Sequence, residues 1–186
     1  MRFTPTKIAG VFHIELEPHR DERGFFARAY CTEEFAQAGI DFVSTQINLS
    51  RNTAQHTLRG MHYQDAPYAE AKVIRSVRGA IYDVAVDLRP DSATYLQWTA
   101  QRLSAERGDA MFIPEGCAHG FLTLEAETDV LYQMGRPYVP GQARGLRYDD
   151  PAIAIAWPAS PAVIGAQDLA WPLLQVARSS QKPSSL

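Results

Sequence analysis

Apolar and polar residues alternate along much of the chain with a period of two residues. The clearest stretch is 73–88, in which Tyr82, Val84, Val86 and Leu88 alternate with Asp83, Ala85 and Asp87. Successive side chains of a β-strand point to opposite faces, so this pattern predicts a strand with one apolar face. Turns are predicted at residues 78–79 and 89–92, and further strands at 110–113, 121–124, 130–134 and 153–157.

Helical patterns are sparse. Thr32, followed by two glutamates and closed by Gly39, predicts one short capped helix. A second is predicted around 168–176, interrupted by Pro172. Many short strands separated by turn residues predict an all-β sandwich or barrel with a few short peripheral helices. We expect a single domain over residues 1–178, followed by a flexible polar tail at 179–186.

Composition narrows the class of protein. The 186 residues are 46% hydrophobic, which suits one globular domain with a substantial core. No apolar run approaches the roughly 18 residues that a membrane span requires, and residues 1–5 do not open a secretory signal, so we expect a cytoplasmic protein without membrane contact. A net charge of −3 argues against a nucleic-acid binder. A nucleotide ligand remains open, because a few arginines in a pocket can bind phosphate.

One glycine- and proline-rich segment indicates a specific β fold. Gly108, Pro114, Gly116 and His119 have the spacing of the second cupin motif, which favours a jelly-roll barrel with His119 at its mouth. Metal-binding cupins also carry a His-x-His pair in the first motif. The corresponding stretch here is His62-Tyr63-Gln64, and a glutamine amide is a poor substitute for imidazole on a transition metal. We therefore expect no bound metal and no other cofactor.

Four polar side chains then need a role: His62, Lys72, His119 and Tyr132. Each taken alone is usually structural or solvated. Together they are suited to proton transfer at a carbon next to a carbonyl. A base removes the proton, a cation holds the enolate oxygen, and an acid returns a proton to the opposite face. Imidazole suits the base because its pKa lies near neutral pH.

The same residues carry a family resemblance. From about Gly10 to Asp168 the chain resembles the dTDP-4-dehydrorhamnose 3,5-epimerases, enzymes of rhamnose biosynthesis with a cupin fold. The most specific match is Arg59-Gly-Met-His-Tyr-Gln64 together with Ala118-His-Gly-Phe121 at the observed separation. The other matching positions are Arg23–Phe26, Gln46–Ser50, Lys72, Asp83–Arg89, Ile113–Phe121, Tyr132, Tyr138, Asp150-Pro151 and Trp157-Pro158.

The resemblance implies a role for each matching side chain. His62 is the expected base, oriented by Asp168, and Tyr132 is the expected acid. Lys72 is expected to face the keto oxygen of the sugar, and Tyr138 to stack on the nucleotide base. The remaining expected substrate contacts are Arg23, Phe26, Gln46, Asn48, Arg59 and His119. We add, as our own inference rather than a family match, that Asp83 keeps Lys72 charged.

The chain departs from the family pattern at three positions. The family usually has glutamate at the positions of Arg28 and Ala143, and a basic residue at the position of Gln167. All three concern substrate binding rather than acid–base chemistry. The sequence therefore predicts the reaction class better than the nucleotide, the final sugar, or the choice between C3 and C5.

Two other functions remain open on the sequence alone. One is a metal-dependent cupin isomerase or oxygenase, and the other is a non-catalytic module that binds a sugar nucleotide. The family resemblance also implies a homodimer that exchanges strands between subunits. Independently of the resemblance, a small barrel has strand edges that need covering.

Overall fold

The computed structural model describes residues 1–174, which form two facing β-sheets and two short helices. The six strands of the first sheet lie in the order β1 (Arg2–Pro5), β2 (Phe12–Glu15), β10 (Ala110–Ile113), β7 (Lys72–Arg78), β12 (Thr128–Met134) and β5 (Gln46–Asn52). The second sheet has the order β13 (Ala143–Gly145), β6 (Thr57–Gln64), β11 (Cys117–Thr123), β8 (Ala80–Asp87) and β9 (Trp98–Ser104). The predicted all-β class and the cupin-like jelly-roll barrel are confirmed.

Two smaller strand pairings and two helices complete the fold. Strands β3 (His19–Asp21) and β4 (Gly24–Phe26) form a separate hairpin. Strand β14 (Val163–Ile164) pairs in parallel with the start of β6. The helices are α1 (Thr32–Gln37) and α2 (Ala166–Ala170). Neither is long and apolar enough to cross a membrane, within the part of the chain that the structure describes.

The main core lies between the two sheets. Ile74, Met111 and Val130 of the first sheet pack there against Ile81 and Phe121 of the second, and all five are fully buried. Removing such side chains from water is the main contribution to the stability of a barrel of this size.

Two further clusters cover the outer faces of the sheets. On the first sheet, Phe35 of α1 packs with Phe42 and Phe112. On the second, Val84 and Val86 are covered by Leu146 and Ile153 of a late segment of the chain. Strand β8 is consequently buried on both faces. Its apolar alternation was predicted correctly, and its polar face turns into the barrel, where Asp83 and Asp87 are fully buried.

The turn at Gly79 passes the chain from one sheet to the other, between β7 and β8. Gly79 has φ +70°, and an added Cβ would stand 2.4 Å from the Thr128 hydroxyl oxygen. Only glycine combines this backbone conformation with so close a neighbour. The predicted turn therefore connects the two sheets, and it places the Asp83 and Asp87 side of β8 opposite β7.

The predicted elements agree unequally with the structure. The strand at 110–113 is confirmed to the residue, and that at 130–134 is confirmed within the longer strand Thr128–Met134. The strand predicted at 121–124 overlaps the strand Cys117–Thr123, which begins earlier and ends one residue before Leu124. The strand predicted at 153–157 is wrong: this segment is a turn followed by irregular backbone. Its apolar residues are buried because they cover the second sheet, not because they belong to a strand.

Both predicted helices are present with different limits. Helix α1 begins at Thr32, so Cys31 rather than Thr32 occupies the capping position, and Gly39 follows the helix at φ +76°. Helix α2 ends at Ala170, ahead of Pro172. The predicted domain end at 178, the tail at 179–186 and the last two residues of the predicted second helix lie outside the described residues.

Candidate active site

A cavity of about 510 Å³ opens between the two sheets. This is within the usual range for a small-ligand site. Eight of the predicted site residues line it. The first sheet contributes Gln46, Asn48, Lys72 and Tyr132, the second contributes Arg59, His62 and His119, and Tyr138 lies in the loop after β12.

His62 and Asp168 form a hydrogen-bonded pair at the wall of this cavity. The imidazole Nε2 lies 2.6 Å from Asp168 Oδ1, and the backbone N–H of Gly60 donates to the other carboxylate oxygen at 3.2 Å. Burial raises the pKa of Asp168, but the hydrogen bonds from His62 and Gly60 outweigh it and leave this pKa below its ordinary value. The carboxylate is therefore charged at neutral pH and accepts the Nε2 proton, which makes Nδ1 the basic nitrogen of a neutral ring.

Lys72 is held by Glu70, not by Asp83 as the sequence led us to expect. Its ammonium nitrogen lies 2.9 Å from Glu70 Oε1, and both side chains are 5% exposed. Glu70 precedes β7 by two residues and lines the cavity beside Lys72. The predicted hydrogen-bonded pair of Asp83 and Lys72 is not formed, because Asp83 makes its hydrogen bond to a different side chain.

That side chain is His119. Its Nε2 lies 2.7 Å from Asp83 Oδ1, and the other oxygen, Oδ2, is buried with no hydrogen-bond partner among residues 1–174. Burial lowers the pKa of the His119 imidazole and raises the pKa of Asp83. Desolvation thus favours the uncharged forms of both groups. Asp83 does not line the cavity itself, but its hydrogen bond orients the His119 ring that does.

Tyr132 approaches the same cavity from the first sheet, opposite the sheet that carries His62. Its ring packs edge-on against the His119 ring, with centroids 5.7 Å apart. Burial is the main cause that raises the pKa of the Tyr132 phenol far above its usual value. The group is therefore a neutral hydroxyl at physiological pH and is able to donate a proton.

The loop that carries Tyr138 is held by two glutamines. Gln46 Oε1 accepts from the Tyr138 backbone N–H at 3.1 Å, and Gln64 Oε1 accepts from the Val139 backbone N–H at 3.3 Å. The Tyr138 side chain is 56% exposed at the cavity rim. This arrangement leaves an aromatic ring free to stack on a planar ligand.

Further polar groups line the cavity beside that rim. Arg59 is positioned by its Nε, which donates to Asn52 Oδ1 at 2.8 Å. Gln46 Nε2 donates to Asn48 Oδ1 at 3.0 Å. A guanidinium beside uncharged amides is suited to bind phosphate and hydroxyl groups.

Arg23 and Phe26 are not part of this cavity. They lie on the β3–β4 hairpin, where Phe26 is 79% exposed and Arg23 pairs with Asp21 at 2.5 Å. The sequence predicted both as substrate contacts, and within one chain the structure does not bring them to the substrate site.

The three departures from the family pattern separate in space. Ala143 and Gln167 line the cavity, whereas Arg28 lies outside it and pairs with Glu34 at 2.5 Å. Trp171 also lines the cavity and packs on Gly145, where an added Cβ would stand 2.3 Å from the indole ring. Sequence reasoning did not select Trp171, Glu70 or Gln64 as site residues. Glu70 could have been selected from its position two residues before Lys72, because side chains two residues apart lie on the same side of an extended chain.

Comparison with known proteins shows which family this chain belongs to. Residues 5–176 match the family model of dTDP-4-dehydrorhamnose 3,5-epimerase. A protein of that name from Sinorhizobium fredii is 41% identical over 158 residues, which are 85% of this chain and 81% of the relative. A dTDP-4-dehydrorhamnose 3-epimerase from Streptomyces niveus is 36% identical over 97% of this chain and 87% of the relative.

A solved structure shows the same fold. The crystal structure of dTDP-4-dehydrorhamnose 3,5-epimerase from Bacillus anthracis, with TDP and PPi bound, superposes with a TM-score of 0.90 at 35% identity. The superposition covers 93% of this chain and 99% of the other. Family model, relatives and solved structure each span nearly the whole chain, so this protein belongs to the dTDP-4-dehydrorhamnose 3,5-epimerase family of isomerases.

Proposed function

We propose that this chain epimerises a nucleotide-linked 4-keto-6-deoxyhexose at C3, C5 or both, in a deoxysugar pathway of the rhamnose type, without a metal ion. One observation carries the proposal. The His62–Asp168 pair on one wall of the cavity is faced by the neutral phenol of Tyr132 on the opposite sheet, and Lys72 lines the same cavity.

The residues divide the reaction between them. His62 removes the proton from a carbon next to the C4 carbonyl, and the electron pair moves into the carbonyl to form an enolate. Lys72 stabilises the enolate oxygen, and the Asp168 carboxylate stabilises the imidazolium. Tyr132 then gives its proton to the opposite face of the carbon, and the phenolate is reprotonated as His62 releases its proton to solvent. Both C3 and C5 are next to C4, so the same set serves either carbon.

The nucleotide end of the cavity supports a dTDP-linked substrate. The Bacillus anthracis relative binds TDP and PPi, and here Tyr138, Arg59, Gln46 and Asn48 line the corresponding kind of polar, aromatic-rimmed cavity. Ala143 and Gln167 also line it. These are the positions where the family pattern is not followed, so we treat thymine as the first base to test rather than the only one.

We further propose that two copies form a homodimer in which Arg23 and Phe26 reach the cavity of the second copy. The β3–β4 hairpin exposes Phe25 and Phe26, and edge strand β5 exposes Ile47 and Leu49. Large exposed apolar side chains next to a strand edge favour association. A dimer of this kind would give Arg23 a diphosphate to bind. A cytoplasmic location stays a prediction from the sequence.

The experiment is deuterium incorporation. The protein is incubated with dTDP-4-keto-6-deoxyglucose in D2O, and the product is examined by NMR for deuterium and configuration at C3 and C5. Exchange with inversion supports the proposal and also tells which carbons react. Good binding without exchange at either carbon overturns it and favours a binding module. The relatives include both a 3,5-epimerase and a 3-epimerase, so inversion at C3 alone is compatible with the family.

A further inference from the structure

Glu70 is a buried carboxylate that touches both halves of the cavity. One oxygen accepts from the Lys72 ammonium at 2.9 Å, and the other accepts from Gln64 Nε2 at 2.5 Å. Glu70 is 7% exposed and Gln64 6% exposed. A carboxylate is seldom buried this deeply unless it is paired and hydrogen-bonded.

An ionised carboxylate gives each of these two neighbours its own acceptor oxygen. Lys72 and Gln64 Nε2 are both donors, and an ionised carboxylate is an acceptor at each oxygen. A glutamine at position 70 would offer one oxygen and one N–H2 group. One of the two donors would then face another donor, and the Lys72 ammonium would lose the negative charge beside it.

Gln64 extends this contact to the nucleotide end. Its Nε2 also donates to the Tyr68 carbonyl at 3.2 Å, and its Oε1 accepts from the Val139 N–H next to Tyr138. A continuous set of hydrogen bonds therefore runs from Lys72 through Glu70 and Gln64 to the loop of Tyr138.

We propose that Glu70 is a positioning residue that holds the charged Lys72 at the keto oxygen of the substrate. The inference rests on the proposed role of Lys72 as the enolate-stabilising group. It assigns to Glu70 an effect on the chemical step that is exerted only through Lys72.

The test uses the full-length protein with Glu70→Gln, Lys72→Met and the double variant. Glu125→Gln is the matched control, because Glu125 makes an exposed ion pair with Arg102 at 3.9 Å, away from the cavity. We measure kcat and KM for deuterium exchange into dTDP-4-keto-6-deoxyglucose, and the Kd of dTDP, which lacks the sugar. Glu70→Gln is expected to lower kcat roughly 10- to 100-fold while the Kd of dTDP changes less than about threefold.

The double variant decides whether Glu70 acts through Lys72. Lys72→Met is expected to lower kcat about 10²- to 10³-fold, and adding Glu70→Gln should lower it no further. This comparison remains available if Glu70→Gln alone fails to fold, since the double variant leaves no buried ammonium without its partner.

Three results would overturn the inference while the wild type is active. They are an unchanged kcat in Glu70→Gln, a loss of dTDP affinity in parallel with kcat, and additive effects of the two substitutions. The second would show that Glu70 only shapes the cavity. A wild type that binds substrate but never exchanges hydrogen overturns the proposed function itself, and this inference with it.

Discussion

His62 Nε2 and Asp168 Oδ1 lie 2.6 Å apart although 106 residues separate them in the chain. The contact depends on two nearby anchors. Strand β14 pairs with Thr57 and Leu58 at the start of β6, and the Gly60 N–H binds the free oxygen of Asp168. The chain end that brings the carboxylate is therefore attached to the same strand that carries the imidazole.

The first prediction concerns this carboxylate. Asp168→Asn keeps the volume of the side chain but removes the charge that stabilises the imidazolium and selects the ring tautomer. We expect exchange at the substrate carbon to fall roughly 10²- to 10⁴-fold, with dTDP binding nearly unchanged. Asp149→Asn is the control, because Asp149 is exposed and pairs with Arg147. A loss of less than about fivefold in the Asp168 variant would contradict the proposed dyad.

Tyr132→Phe separates proton removal from inversion. The variant keeps the ring packed against His119 and Phe121 and loses only the hydroxyl. His62 still removes a proton and returns a deuteron to the same face, so exchange without inversion should continue. Net epimerisation should fall about 10²-fold or more. NMR of the reaction in D2O measures both quantities, and full inversion by the variant would remove Tyr132 from the acid role.

Metal removal should leave the activity unchanged. Gln64 stands where a metal-binding cupin would have its second histidine, and both ends of its amide are already used by Glu70 and Val139. Residues 1–174 contain no group of three histidine, cysteine, aspartate or glutamate side chains placed to hold a metal. We expect full activity after dialysis against EDTA, and less than about 0.1 equivalent of any transition metal by elemental analysis. Activity that is lost with EDTA and restored by one metal would favour the metal-dependent alternative.

The proposed dimer predicts complementation between two impaired variants. Arg23→Ala and His62→Ala each damage both sites of their own homodimer. After mixing, partial unfolding and refolding, a mixed dimer has one site with an intact His62 and an intact Arg23 from the other chain. Random pairing should restore roughly a quarter of wild-type activity. A mixture no more active than the better parent would place Arg23 outside the partner's site.

How far the sequence predicted this molecule depends on the kind of signal. Alternation of apolar and polar residues located β8, and a short run of apolar residues located β10. The same signal failed at 153–157, where Ile153 and Trp157 are apolar because they cover the second sheet. A pattern of apolar residues indicates that a segment is buried, and an irregular segment that covers a sheet is buried as well as a strand is.

For the site, the sequence predicted which residues line the cavity but not how they pair with each other. Motif spacing and family resemblance placed His62, Lys72, His119 and Tyr132 at one cavity, as the structure has them. Pairings inside the cavity were not predictable, because they depend on side-chain reach rather than on pattern. Asp83 was assigned to Lys72, but it lies behind His119, while Glu70 in the preceding loop reaches Lys72.

The last prediction concerns stability and its dependence on pH. Asp87 is fully buried, and its carboxylate accepts from Arg89, Ser92 and Thr94. Burial raises the pKa of Asp87, but these hydrogen bonds outweigh burial and hold the pKa far below its ordinary value. A group whose pKa is lower in the folded than in the unfolded state stabilises the fold at pH values above the unfolded pKa, about 3.9. This stabilisation is lost as the pH falls towards the folded pKa.

Asp87→Asn should therefore lower the free energy of unfolding by about 3 kcal/mol at pH 7, and its difference from wild type should shrink between about pH 4 and pH 2. Urea unfolding across this range measures the effect, with Glu125→Gln as the exposed control. A difference that stays constant down to pH 2 would mean that packing, rather than the ionised carboxylate, accounts for the loss.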